Sequence, residues 1–345
     1  MLIHRTDPLN CETPVADLGE SVTPIAHFYV RNHFQVPAID AGAWKLDVAG
    51  LVGRRLALSL RELIRLPSET RTVTLECAGN GRRYLSPAVG GEPWGRGAVS
   101  TAEWTGVPLA VVLDLAGVLP MATDVVFRGA DRGTVDGGAS EISFERGLSL
   151  EAALDGAVLL SYAMNGEALP VQHGFPVRVI VPGWYGVASV KWLSAIELTD
   201  HPFAGYYQAT KYRYESDETS EPVTLQRVKS LITEPVDGAE LPRGETIIRG
   251  IAWSGAAPIA RVEVSIGRDG WRDACLVGER RRHSWQRWEA IADLGRTGNI
   301  EIRARATDLA GHTQPEAASW NRYGYGNNAV HAVSVSVVGA KTLRI

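Results

Sequence analysis

Arg31 and His33 stand two apart in Phe28-Tyr29-Val30-Arg31-Asn32-His33, so on a strand both side chains would face one way. Arg82 and Arg83 follow the Gly79-Asn80-Gly81 turn just after Cys77, and His173, Arg178 and Lys191 fall within HGFPVRVIVPGWYGVASVKW. Cationic side chains beside glycines describe an anion site. Glycine lets backbone N–H groups approach a ligand, and the guanidinium fork binds oxyanions through paired hydrogen bonds. Cys77, beside arginines, is expected to have a depressed pKa, and a thiolate is a soft ligand for a transition metal. Taken singly, each residue also has a plainer account. A cysteine ending a buried strand is commonly core packing, a lone arginine is commonly a solvated ion pair, and His173 could be a satisfied turn histidine. The ten tryptophans fit a core and need no cofactor. The phosphate-loop, dinucleotide, HExxH and GxSxG patterns are missing.

These residues must be positioned by an α+β domain. Leu58 to Ile64 carries a capping box, Ser59 to Glu62, with Leu60, Leu63 and Ile64 on one helical face. Val73, Leu75 and Cys77 alternate on a strand that ends at Ala78-Gly79. A second helix starts at Pro108, turns Val112, Leu113 and Ala116 inward and stops at Gly117. Phe175 to Val181 is apolar on nearly both faces and reads as a buried strand. Glu215 to Pro222 is acidic and aperiodic, a linker. Beyond it Val262, Val264 and Ile266, then Ile300, Ile302, Ala304 and Ala306, then Val333, Val335 and Val337 alternate, as in an antiparallel β-sandwich.

The chain has 345 residues, is 45% hydrophobic and carries a net charge of −4, which suits a packed protein of two domains and gives no global basic field for nucleic acid or an anionic membrane. Cys11, Cys77 and Cys275 are too few and too scattered for a disulfide framework or a zinc ribbon. No basic-then-apolar leader opens the sequence and no apolar run reaches ~18 residues, so the expected location is cytoplasmic, or periplasmic if an export segment has been removed.

Three segments, FYVRNH, TLECAGNGR (Thr74 to Arg82) and HGFPVRV (His173 to Val179), resemble the sulfite oxidase family of molybdopterin-dependent oxidoreductases, in its bacterial-type form without a haem domain. Tyr162 to Gly166, Leu169-Pro170 and Val190-Lys191-Trp192-Leu193 fit as well, and Ile232 to Pro235 and Gly250 to Gly255 are similar to the family's dimerisation domain. The resemblance runs in order from about residue 25 to 338. It implies a lead-in at 1–24, a molybdopterin-binding domain at 25–214, a linker at 215–228 and an immunoglobulin-like dimerisation domain at 229–345.

Carried over residue by residue, the resemblance makes Cys77 the molybdenum ligand. It gives Tyr29, Val30, Arg31, Asn32, His33, Asp131, His173, Arg178, Ser189, Val190 and Lys191 to the pterin and its phosphate. Arg31 and Arg82 would line the oxyanion pocket with Tyr212, and His33 and Arg322 complete the catalytic candidates. The implied reaction oxidises sulfite to sulfate by oxygen-atom transfer, with electrons leaving to an external one-electron acceptor such as a cytochrome c or a small redox carrier. The implied cofactor is molybdenum–molybdopterin, without haem or flavin, in a homodimer. One departure concerns substrate: vertebrate and plant members follow Trp-Asn with Leu-Arg-Gly, whereas here Tyr323 stands at the arginine position and Arg322 one place earlier. The rival readings are a nitrate or sulfoxide reductase of the same superfamily and a non-catalytic binding protein.

Overall fold

The computed structural model describes residues 1–155, 157–216 and 219–339. The first domain holds one mixed sheet and one antiparallel sheet. One runs Leu56–Ser59, Lys45–Gly50, Leu193–Thr199, Asp124–Thr134, Glu141–Ser149, with Leu193–Thr199 parallel to Lys45–Gly50 and antiparallel to Asp124–Thr134. The other runs Glu167–Ala168, Leu159–Met164, Val99–Pro108, Glu69–Glu76, and Arg178–Ile180 also pairs with Leu159–Met164. Helix Leu109–Ala116 follows Pro108, buries Leu109, Val112, Leu113 and Ala116, and ends at Gly117 with φ 71°. The capping box forms as read: the Ser59 hydroxyl accepts from the Glu62 amide and the Glu62 carboxylate accepts from the Ser59 amide.

The second domain is a sandwich of two sheets, one ordered Lys229–Glu234, Gly244–Trp253, Gln286–Leu294, Cys275–Val277, the other Glu240–Pro242, His331–Val338, Gly298–Asp308, Ile259–Ile266, Arg272–Asp273. Val262, Val264, Ile266, Ile302, Ala304, Ala306, Val333, Val335 and Val337 all point into one buried cluster between them. Period-two alternation puts every second side chain on that inner face.

Three readings change. The lead-in is not irregular: Leu2–Thr6 and Leu9–Glu12 form a hairpin whose Glu12 carboxylate accepts from the Gly95 and Gly97 amides at 3.0 and 3.2 Å. Beside Cys11 its buried residues, Asn10 and Glu12, are polar and satisfied by hydrogen bonds, so no alternating apolar pattern announces them. In Phe175 to Val181 only Arg178–Ile180 joins a ladder. The linker region contains a second hairpin, Arg213–Glu215 against Ser220–Pro222, while Asp217, Glu218 and the residues from 340 to 345 lie outside the described residues.

The domains share a dense seam. Leu18 and Val99 pack with Leu231, Ile251, Trp253 and Trp285 in one cluster. Residues 309–330 of the sandwich reach back across the first domain, where the Gly326 amide donates to Ala78 O and Asn327 Nδ2 donates to Gly81 O, both at 2.8 Å.

Candidate active site

Cys77 follows directly on strand Glu69–Glu76, and its amide donates to Ala98 O at 2.8 Å. The chain then turns sharply: the Asn80 amide donates back to Cys77 O at 2.8 Å. Gly79 leaves room for the Arg82 guanidinium, since a Cβ there would lie 2.6 Å from Arg82 Nη2 and push it aside. Immediately before the cysteine, the fully buried Glu76 carboxylate accepts from Lys229 Nζ at 2.6 Å, Asn80 Nδ2 at 3.0 Å and Trp253 Nε1 at 2.9 Å. Two of those donors belong to the sandwich. Burial pushes the Cys77 thiol up, against the pull of Arg31 and Arg82, so the depressed pKa expected from its neighbours is outweighed by desolvation. Among the described residues no cluster of His, Cys, Asp or Glu forms a metal cage, which leaves Cys77 as a single thiol donor.

Cys77 opens into a cavity lined by Tyr29, Val30, Arg31, Asn32, His33, Asp131, His173, Arg178, Ser189, Lys191 and Tyr212. The cations on its wall are fixed by the backbone. Arg178 donates to His173 O and Ser189 O, each at 3.0 Å, and stacks over Trp104 at 4.9 Å. Lys191 Nζ donates to Gln172 O at 2.9 Å and to Asn32 Oδ1. Gly174, at φ 107°, lets Arg178 and Lys191 close in, because a Cβ there would stand 3.0–3.1 Å from theirs. Burial holds Lys191 well below its usual range and brings Arg178 down to about 10. His173 is lowered to about 3, by burial first and then by Lys191 and Arg178, and is therefore neutral. Asp131 is raised by burial and lowered by Lys191.

Two buried polar atoms on this wall, Asp131 Oδ1 and Arg178 Nε, have no protein partner among the described residues. An orphaned donor beside an ammonium calls for an anionic guest that accepts, and the orphaned acceptor for an N–H or O–H on the same guest. A pterin with ring N–H donors and a phosphate has that chemistry, and a thiol donor alone at the far end suits a metal that brings sulfur ligands of its own. The residues fit the group.

At the mouth, Arg31 donates to Asn10 Oδ1 at 3.2 Å, and Tyr212 Oη lies 2.7 Å from His33 Nε2. Burial raises Tyr212 to about 12, and desolvation with Arg31 holds His33 well below 6.5, so both are neutral near pH 7. Tyr325 stacks on Tyr212 with centroids 4.8 Å apart. Outside them lies a vestibule of about 460 Å³ that shares Arg31, His33 and Tyr212 with the inner cavity and is walled by Tyr206, Tyr207, Tyr323 and Tyr325.

Three expected site residues sit elsewhere. Val190 turns into the apolar core. Arg82 does not line the inner cavity: its guanidinium donates to Tyr323 O and Glu92 O at 3.0 and 2.9 Å, so it braces the loop. Arg322 lines the vestibule rather than the inner cavity, its side chain 68% exposed on the outer rim and paired with Glu215 at 2.8 Å. Residues absent from the sequence reading are Asn10, Glu76 and Tyr325. Glu76 was visible in the TLECAGN run. Asn10 and Tyr325 carried no signal, since only the fold brings the first hairpin and the late loop to Cys77.

Residues 33–207 match the family model described as oxidoreductase molybdopterin binding domain, and residues 222–338 that of the Mo-co oxidoreductase dimerisation domain. The chain is 38% identical to a sulfite oxidase of Gallus gallus over 95% of its own length and 76% of the relative's. To the mitochondrial sulfite oxidase of Rattus norvegicus it is 37% identical over 97% of this chain and 65% of that one. A nitrate reductase [NADH] of Oryza sativa subsp. japonica is 35% identical over 96% of this chain, which spans 40% of that relative. Among solved structures, the sulfane dehydrogenase SoxCD of Paracoccus pantotrophus superposes with a TM-score of 0.85 at 30% identity, covering 94% of this chain and 84% of that one.

Proposed function

The chain belongs to the sulfite oxidase family of molybdopterin-dependent oxidoreductases, and from that premise we propose that it oxidises sulfite to sulfate and passes the electrons to an external acceptor. The observation that carries this reading is the alignment of one buried thiol, Cys77, with a half-buried guanidinium, Arg31, at the mouth of the same cavity.

The molybdenum–molybdopterin group, when bound, supplies oxygen-atom transfer and two-electron redox chemistry. Cys77 would hold the metal, and Arg178, Lys191, His173, Asp131 and Ser189 would hold the pterin and its phosphate. Arg31 binds and orients the oxyanion through its fork, at a position where water is scarce and the charge is felt strongly. Tyr212 keeps its proton, and its hydroxyl can donate to an oxyanion oxygen while His33 holds the phenol in place. The stacked Tyr325 limits access of solvent from the sandwich side. The external acceptor is a cytochrome c or a small carrier, and the second domain would pair two copies of the chain.

Sulfite-dependent ferricyanide reduction by protein of verified molybdenum content tests the proposal. Saturable turnover supports it; loaded protein that ignores sulfite overturns it. A second reading, nitrate reduction, is favoured by the 35% identity to a nitrate reductase and by Tyr323 in place of a cation, and is tested with nitrate and a reduced dye in parallel.

A further inference from the structure

The vestibule is much larger than sulfite needs. Its volume of about 460 Å³ falls in the range of roughly 300–1,000 Å³ that organic ligands occupy. Its wall is aromatic: Tyr206 and Tyr207 lie 5.0 Å apart between centroids, and Tyr323 lies 5.8 Å from Tyr325. The half-buried Tyr323 ring faces Lys211 at 4.9 Å. Most of the cations at the same place are already paired. Lys211 lies 3.6 Å from Asp136, Arg322 is held by Glu215 on the outer rim, and Lys191 of the inner cavity by Asn32 and Gln172. Among the described residues Arg31 is the only arginine or lysine lining both the cavity and the vestibule. One guanidinium balances a monoanion better than a dianion.

The geometry points to organosulfinates, and aryl sulfinates in particular, as a substrate class for this site. An organosulfinate is sulfite with one oxygen replaced by carbon. It keeps the sulfur lone pair that sulfite oxidation uses, carries one negative charge instead of two and adds an organic group. The sulfinate head takes the sulfite position against Arg31 and Tyr212, and the ring lies among Tyr206, Tyr207, Tyr323 and Tyr325. The inference rests on the oxidase reading. The balance is organosulfinate plus water giving organosulfonate, two protons and two electrons: the lone pair becomes the new sulfur–oxygen bond, water supplies the oxygen, and the electrons go to the external acceptor, ferricyanide in the assay.

The experiment compares benzenesulfinate, methanesulfinate and sulfite with molybdenum-checked protein, and titrates benzenesulfonate by calorimetry without turnover. Aromatic contact is worth about tenfold in affinity, so kcat/KM for benzenesulfinate exceeds that for methanesulfinate by about that factor. Tyr323→Ala removes most of this advantage and weakens benzenesulfonate binding by a similar factor. Turnover of sulfite but not benzenesulfinate overturns the inference and leaves the oxidase reading intact. Turnover of benzenesulfinate alone supports the inference and overturns sulfite as the substrate. Turnover of neither by loaded protein overturns both, and equal rates for the two sulfinates, unchanged in Tyr323→Ala, overturn the role of the aromatic wall.

Discussion

In the sandwich, Val262, Val264, Ile302, Ala304 and their neighbours meet across two sheets as plain apolar packing. Around Cys77 the residues are hidden just as well, but many are charged. Glu76 is fully buried and Arg178 is 5% exposed, each held by named hydrogen bonds. An apolar core tolerates approximate fit and is stabilised in proportion to area, whereas a polar interior depends on each partner, because one deletion strands a buried charge. The sandwich is thus built to persist and the Cys77 interior to hold a geometry.

The largest effect should separate function from stability. Cys77→Ser is expected to abolish sulfite turnover while moving the thermal midpoint little, since it exchanges one sulfur for oxygen on a cavity wall; unchanged turnover would remove Cys77 from the metal. Next comes the seam. Lys229→Met strands the Glu76 carboxylate and should cost about 3–5 kcal/mol by urea unfolding, and adding Glu76→Gln should recover much of it. Ile302→Ala in the sandwich should cost about 2–5 kcal/mol with no such partner to restore it. Equal rescue, or none, in both places would erase the contrast.

A smaller effect is pH-dependent. His331 Nδ1 accepts from the Ile232 amide at 2.9 Å, and burial first, then Arg96 and Lys229, keep its pKa well below 6.5. The unfolded chain takes up a proton below about 6.5 that the folded one refuses, so stability is full above that pH and declines as pH falls, by up to about 1.4 kcal/mol per unit. His331→Gln should flatten part of the decline in urea midpoints. His173, lowered to about 3, has the same sign, so a residual slope remains. The smallest effect is Arg322→Ala, expected to leave the KM for sulfite within error and stability within about 0.5 kcal/mol, because an exposed ion pair contributes little.

Much of the fold was legible wherever a periodic pattern reports it. The alternating Val, Ile and Ala positions of the sandwich, the Ser59–Glu62 box and the Pro108 to Gly117 helix lie where local spacing puts them. The hairpin at Leu2 to Glu12 escaped because hydrogen bonds rather than apolar contacts hold it. In the site, Cys77, Arg178 and Lys191 stood out by type and context, and the family resemblance gathered them. Spacing could not show that Arg322 stands at the vestibule rim paired with Glu215, because a loop's facing is not periodic, and the Cys77 pKa was misjudged because sequence shows neighbouring charges but not the depth of burial.

The strap formed by residues 309–330 also sets an order of events. Asn327 closes on Gly81 from 246 residues further along the chain. A ribosome that has delivered only the first domain has therefore made the floor and walls of the cavity but not Tyr325 or Asn327. At about 5–20 residues per second the rest takes many seconds to emerge. During that interval the side of the cavity that Tyr325 and Asn327 cover in the finished protein has no cover from the late loop.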